Sequence, residues 1–214
     1  MLDELVSRTV ELPSGEFHVL QPRESAELPD DGAVEWAPLV PYWSVLWRSG
    51  VALAREVDAE TLAGLRVVEL GCGLALPSIA AVRGGATVLA TDACAEALAL
   101  AERNARANGL QIETSVADWK RPDGLADRAP PCASGRAGPH RSDHIFDLVL
   151  AADVLYERAS VAPLLSLLPR LAPEAWLADP GRPAAAAFLE EASRRWAVDT
   201  RVRGVVRIHR LRLA

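Results

Sequence analysis

The chain has 214 residues, enough for one domain with a real hydrophobic core and short for two. Half of the residues are hydrophobic and 24% are charged, which excludes a disordered chain, and a formal net charge of −6 argues against nucleic acid as a partner, because phosphate binding rests on clustered Lys and Arg. Three cysteines, Cys72, Cys94 and Cys132, are odd in number and lack metal-ligand spacing, so free thiols in a reducing compartment and no metal site are expected.

The first ten residues carry Asp3 and Glu4 without an apolar leader core, and no apolar run reaches the roughly 18 residues of a membrane span. A cytoplasmic protein with no membrane partner, monomeric or weakly dimeric, is expected. Thr9 to Leu20 reads as a hairpin in which Val10 and Leu12 face Phe17 and Val19 across a Pro13-Ser14-Gly15 turn. It belongs to an N-terminal extension over residues 1–40, appended to a main domain over 41–214. From Tyr42 to Val57 the spacing of Leu46, Leu53 and Val57 predicts a helix, entered through Pro41 and carrying Trp43 and Trp47. Leu65 to Leu70 is a short, nearly continuous apolar run that ends in Gly71-Cys72-Gly73 and leads to a helix from Pro77 to Arg83: strand, glycine turn, helix.

The order then repeats. Ala86 to Ala90 is a second strand ending at Thr91-Asp92, and Cys94 to Asn108 is a helix stopped by Gly109. A third strand, Ile112 to Val116, runs into Asp118-Trp119. Between Lys120 and His144 the chain is rich in Arg, Pro, Gly and Ser without periodicity and reads as a mobile surface loop. Ile145 to Ala151 is a fourth strand, followed by a helix through Leu164, Leu165, Leu167 and Leu168, a fifth strand from Trp176 to Ala178 and a helix from Ala184 to Trp196. Val198 to Val202 and Val205 to Leu213 close the chain as an antiparallel hairpin at Gly204. Such alternation predicts a mostly parallel sheet with helices on both faces.

Glycines at a strand-to-helix turn let backbone N–H groups approach a ligand closely. Here the third small residue of a dinucleotide fingerprint would fall on Leu76, whose side chain would obstruct helix packing, so a nicotinamide dehydrogenase is disfavoured. The small residue comes one position earlier, at Ala75, the spacing of S-adenosylmethionine enzymes. Asp92, at the end of the second strand, can accept hydrogen bonds from two ribose hydroxyls, cap the helix that follows, or do both. Asp118-Trp119 can offer a polar contact and an indole face to an adenine, or Trp119 can be core. The four histidines are scattered and receive no role. The arginines of the last strands, Arg201, Arg203, Arg207, Arg210 and Arg212, read as solvated strand faces or, less simply, a dock for an acidic partner.

Trp47-x-x-Gly50, Glu69-x-Gly71-x-Gly73, Thr91-Asp92, Asn104 to Gly109, Asp118-Trp119 and Ala151 to Tyr156 together resemble the class I, seven-strand methyltransferases of the lysine methyltransferase-like family. The resemblance runs from about Pro41 to Arg182. It implies an α/β fold, a Rossmann-like three-layer sandwich with a seven-stranded, mostly parallel sheet and an antiparallel C-terminal hairpin. It also implies S-adenosyl-L-methionine as cofactor, with S-adenosyl-L-homocysteine as its product, held by Trp47, Glu69, Gly71, Cys72, Gly73, Asp92, Ala93, Asp118, Trp119 and Ala152. The D-x-x-Y element, Asp153 and Tyr156, would border the methyl acceptor as the catalytic pair. Asp179-Pro180-Gly181-Arg182 resembles the D-P-G-R stretch of the electron-transfer-flavoprotein β-subunit lysine methyltransferase branch, near the nicotinamide N-methyltransferase-like proteins, although Asp-Pro-Gly also favours a turn on backbone grounds alone.

Methyl transfer from a sulfonium is an in-line displacement, so the protein mainly aligns the reactants and excludes water. Asp153 would position an incoming amine and Tyr156 would supply an aromatic wall or hydroxyl contact; alternatively Asp153 is a solvent-facing helix cap. Three function classes stay open: a protein methyltransferase, with lysine as the expected acceptor; a small-molecule N-methyltransferase; and a methyltransferase-like binding protein without turnover. Asp153-Val154-Leu155-Tyr156 stands where adenine-in-DNA methyltransferases carry (N/D)-P-P-(Y/F), which disfavours that activity.

Overall fold

The computed structural model describes residues 4–26, 41–119 and 144–214. The loop expected over 120–144, but for His144, lies outside the described residues, as do Cys132 and His140. Strands β1 (Leu5–Leu12) and β2 (Gly15–Pro22) form the N-terminal hairpin, and a short helix, α1 (Arg23–Ala26), follows. Then come α2 (Arg48–Asp58), β3 (Arg66–Leu70), α3 (Leu76–Arg83), β4 (Thr87–Asp92), α4 (Ala95–Ala107) and β5 (Glu113–Val116). The second half contributes β6 (Leu148–Ala152), α5 (Val161–Leu171), β7 (Glu174–Asp179), α6 (Pro183–Ala192), β8 (Trp196–Arg203) and β9 (Val206–Leu213).

Seven strands make one sheet in the order β5-β4-β3-β6-β7-β9-β8. β3 through β7 are parallel, β9 runs antiparallel to β7, and β8 closes the edge against β9. The chain winds outward from β3 through β4 to β5, then returns to lay β6 on the other side of β3. The strand order reverses between β3 and β6, which is where open α/β sheets bind ligands, beyond the carboxyl ends of the strands.

Alternation along the strands divides the core between two faces. Val67, Leu148 and Leu150 pack with Leu53 and Val57 of α2 and Ile79 of α3, while Val68, Val149 and Ala151 pack with Leu164 and Leu168 of α5 and Phe188 of α6. The N-terminal hairpin is no appendage: Val10, Leu12, Phe17 and Val19 lie in the first of these clusters, buried together with Leu53 and Ile79. An edge strand needs partners for its amides, and Asn104 supplies one. Its Oδ1 accepts the Leu20 N–H at 2.7 Å while its Nδ2 donates to the Leu74 carbonyl at 3.1 Å. Asn108 accepts the His18 N–H and donates to the His18 carbonyl.

Other expectations also need correction. The helix predicted from Tyr42 begins only at Arg48; Tyr42–Ser44 is a single 3-10 turn, and Trp47 is extended, its indole Nε1 donating to the Tyr42 carbonyl at 2.9 Å. Trp196 opens β8 and does not close α6. The arginines of the last strands are not all solvated. Arg210 is 7% exposed, stacks 3.8 Å over the Trp176 ring and donates to Glu56 and Glu60. Arg201 and Arg203 reach the same Glu56. Burial pushes the Glu56 carboxyl up, but the Arg201 hydrogen bond and the charges of Arg210 and Arg203 hold it below its ordinary value. Among the described residues no helix is long and apolar enough to cross a membrane.

Candidate active site

The carboxyl ends of β3, β4, β6 and β7 open on one cavity of about 1100 Å³. Its floor is the glycine turn after β3. Gly71 and Gly73 have φ of 65° and 50°, and a Cβ on Gly73 would stand 2.8 Å from the Trp43 carbonyl oxygen, so only glycine fits. Ala75, φ 60°, takes the left-handed position just before α3, packed near Ala90 and Ala101, and Leu76 turns into the core. Ala75 thus continues the left-handed turn of the two glycines into α3.

Asp92 ends β4 at the cavity wall. Its Oδ2 accepts the Gly73 N–H at 3.0 Å and its Oδ1 accepts the Cys94 N–H at 2.9 Å, just before α4. It does not cap α4, whose N-cap is Cys94 without a side-chain capping bond; it braces the floor and the turn into the helix, and each oxygen keeps a further lone pair for a ligand hydroxyl. Ala93 lines the cavity beside it, and the buried Cys72 thiol forms part of the floor, its ionisation pushed well up by burial. Glu69 is fully buried at the back. Its Oε2 accepts both the backbone N–H of Ser78, at 3.0 Å, and the Ser78 hydroxyl, joining β3 to the first turn of α3. Burial pushes this carboxyl up to about 8, against the Ser78 hydrogen bonds and helped by the Asp92 charge.

Trp47 and Trp119 stand on the walls. Trp119 is 7% exposed and packs with Val154 in the core, and it also lines the cavity. Ala152, at the end of β6, also lines the cavity; Asp118 is not among the lining residues.

At the mouth, Asp153 is neither a helix cap nor solvent-facing. Its side chain is 14% exposed, its φ is 58°, and its backbone N–H donates to the Ala178 carbonyl of β7 at 2.9 Å. Arg182 donates to its Oδ1, and the Ser49 hydroxyl of α2 also bonds it. Burial raises the Asp153 carboxyl; Arg182 and Ser49 oppose that, and the nearby Asp179 charge adds to it. Tyr156 is 57% exposed on the rim. The D-P-G-R stretch is a turn, with Asp179 accepting the Gly181 and Arg182 N–H groups, and it also delivers Arg182 to Asp153.

Tyr42, Trp43 and Arg182 line the cavity without having been expected there. The first two were hidden by the helix predicted over them; the third stood in a motif whose role the sequence left open. His18, His144 and His209 are not lining residues, and among the described residues no cluster of three His, Cys, Asp or Glu could hold a metal.

The family model described as lysine methyltransferase matches residues 43–176. The chain is 32% identical over 123 residues to the electron transfer flavoprotein beta subunit lysine methyltransferase of Danio rerio, a stretch that covers 56% of this chain and 40% of that protein. It spans less than half the length of the curated relatives it matches. Among solved structures, the ribosomal protein L11 methylase of Lactobacillus delbrueckii subsp. bulgaricus shares the fold with a TM-score of 0.54 at 21% identity, over 77% of this chain and 78% of its own. The tRNA (uracil-54, C5)-methyltransferase of Pyrococcus abyssi, in complex with S-adenosyl-L-homocysteine, does so with a TM-score of 0.57 at 15% identity, over 99% of this chain and 45% of its own.

Proposed function

The chain belongs to the lysine methyltransferase family, and on that premise we propose that it is an S-adenosylmethionine-dependent methyltransferase whose acceptor is a protein lysine side chain. One observation carries the reading: a single cavity at the reversal of strand order holds a glycine floor braced by a β4 carboxylate and, at its mouth, a second buried carboxylate. Gly71 and Gly73 line the cavity in a left-handed turn with no side chains between their main chain and the open space, so main-chain groups can come close to a ligand there. The residues present therefore fit an adenosyl amino acid. Asp92 receives the ribose hydroxyls, the Gly71–Gly73 turn and Glu69 face the amino-acid end, Trp47 and Trp119 cover the flat and apolar parts, and Ala152 leaves room between the cofactor and the mouth. When bound, S-adenosylmethionine supplies an electrophilic methyl group on a cationic sulfur.

The chain's own contribution is alignment. Asp153 accepts a hydrogen bond from the acceptor amine and so fixes its approach, and Tyr156 walls the rim against water. Lysine must shed a proton before it can attack, since its reference pKa is about 10.4; a carboxylate beside the amine orients it while bulk base removes the proton. Free Cys72 and Cys94 fit a reducing, cytoplasmic setting. The name of the zebrafish relative supports a protein lysine as acceptor.

Incubation of the purified protein with methyl-labelled S-adenosylmethionine and a cell lysate, split into protein and small-molecule fractions, tests this. Label is expected on protein lysines, and Asp92→Ala is expected to lower S-adenosylhomocysteine affinity about 100-fold by calorimetry, the loss of two charge-assisted hydrogen bonds. Label confined to small molecules would reassign the acceptor, and no binding of either cofactor form would end the reading.

A further inference from the structure

The D-P-G-R turn does more than change the chain's direction. Asp179 is 1% exposed at the end of β7, and its Oδ1 accepts the Gly181 N–H and, at 2.7 Å, the Arg182 N–H. Gly181 has a φ of 95°, and a Cβ there would run into the Arg207 guanidinium, which itself donates to the Pro180 carbonyl at 3.3 Å. Arg182 immediately precedes α6, with Pro183 as the first helical residue. Its backbone N–H is tied to Asp179 and its carbonyl to the first turn of α6, and its guanidinium lies between two carboxylates: Asp153, which it hydrogen-bonds, and the Oδ2 of Asp179 at 3.6 Å, an atom that accepts no hydrogen bond.

Two carboxylates sharing one guanidinium leave one negative charge in excess. Asp153 also feels the Ser49 hydroxyl from α2; Glu157 and Arg158 lie on the cavity from the segment after β6, Glu69 and Asp92 from β3 and β4, and on the side away from Asp153 the Asp179 end of the group is faced by Arg207 and His209 of β9. Without a cation beside it, a carboxyl this buried and this close to Asp179 would hold its proton and could no longer attract an ammonium.

We propose that Arg182 is the positioning residue of the acceptor site, holding Asp153 as an oriented carboxylate so that the Asp153–Arg182–Asp179 group keeps one net negative charge for a cationic amine acceptor. This rests on the methyltransferase reading above and deepens it: the site selects amines that arrive charged, such as a lysine side chain, over neutral heterocycles. Arg182 acts through Asp153 and need not touch the acceptor.

The test compares wild type with Arg182→Met and Arg182→Lys in two measurements. In the first, the ¹³C carboxyl resonance of Asp153, assigned by its loss in Asp153→Asn, is titrated; its midpoint is expected to rise by about one pH unit or more in Arg182→Met and to stay near wild type in Arg182→Lys. In the second, the initial rate of labelled methyl transfer to the lysate protein fraction is followed from about pH 6 to pH 9.5, where the acid limb in Arg182→Met is expected to move upward by a similar amount, with about a tenfold loss at neutral pH that Lys restores. Should Arg182→Met fail to fold, Arg182→Gln is read in the same two ways. Titrations and profiles that superimpose on wild type overturn the proposal while leaving the methyltransferase reading intact. A wild type that methylates no protein sinks the latter, and the carboxyl titration then still decides what Arg182 does for Asp153.

Discussion

Glu69→Gln is expected to make the ligand-free protein more stable at alkaline pH and to change it little at mildly acidic pH. Both donors of Ser78 converge on Oε2, so a glutamine carbonyl oxygen can accept both and the local structure survives. The carboxyl ionises at an ordinary value of 4.5 in the unfolded chain and at about 8 in the folded one, raised by burial with the Asp92 charge adding to it. Between those values the folded state binds a proton that the unfolded state has released, so stability falls as pH rises from 4.5 to about 8 and levels off beyond. At about 1.4 kcal/mol per pH unit, the step from pH 5.5 to 7.5 removes on the order of 3 kcal/mol from wild type and none of it from the variant. Urea unfolding of both proteins at the two pH values measures the difference directly, and groups common to both cancel in the comparison. Wild-type and variant stabilities that run parallel across this range would refute the reasoning, since Glu69 would then be ionised in the fold.

The same residue predicts a proton count. A cationic ligand in the cavity favours the Glu69 carboxylate, so S-adenosylmethionine binding near pH 7 is expected to release a fraction of a proton, seen as calorimetric heats that depend on the buffer's ionisation enthalpy and lost in Glu69→Gln. Gly73→Ala must hold alanine at a φ of 50° with its Cβ 2.8 Å from the Trp43 carbonyl. It should cost about 2 kcal/mol of stability in denaturant and weaken S-adenosylhomocysteine binding at least tenfold, and an unaltered dissociation constant would count against a ligand on the glycine floor. Asn104→Ala strands the Leu20 N–H and the Leu74 carbonyl. A loss of about 2–3 kcal/mol, or roughly 5–10 °C in melting temperature, is expected, and a shift under 1 °C would mean that the Asn104 hydrogen bonds do not hold the hairpin.

The central sheet was readable because its strands are buried on both faces, so Val67-Val68 and Leu148 to Ala151 stand out as apolar runs that end in glycine or aspartate at the cavity. The glycine floor and Asp92 followed from their places at strand ends. What was hidden depends on partners far apart in the chain. Arg182 and Asp153 meet across 29 positions and Arg210 reaches Glu56 across 154, and periodicity carries no trace of such pairs. Asn104, in the helix expected from Cys94 to Asn108, is fully buried where the N-terminal hairpin covers it, a contact that helical spacing does not announce. The apolar spacing of Leu46, Leu53 and Val57 gave no sign that an indole bonded to the Tyr42 carbonyl would delay the helix to Arg48.

The two halves of the cavity stand on different parts of the sheet. The glycine floor and its brace come from β3 and β4, whereas the mouth hangs from β6 and β7, with Arg207 of β9 wedged beneath Gly181. A terminal hairpin that looks like mere edge closure therefore serves as the underlay of the rim: slipping β9 by one residue would swing Arg207 to the opposite side of the sheet and free the turn above it. On the function proposed above, substitutions at Arg207 are expected to loosen the turn that carries Arg182 before they reach the glycine floor.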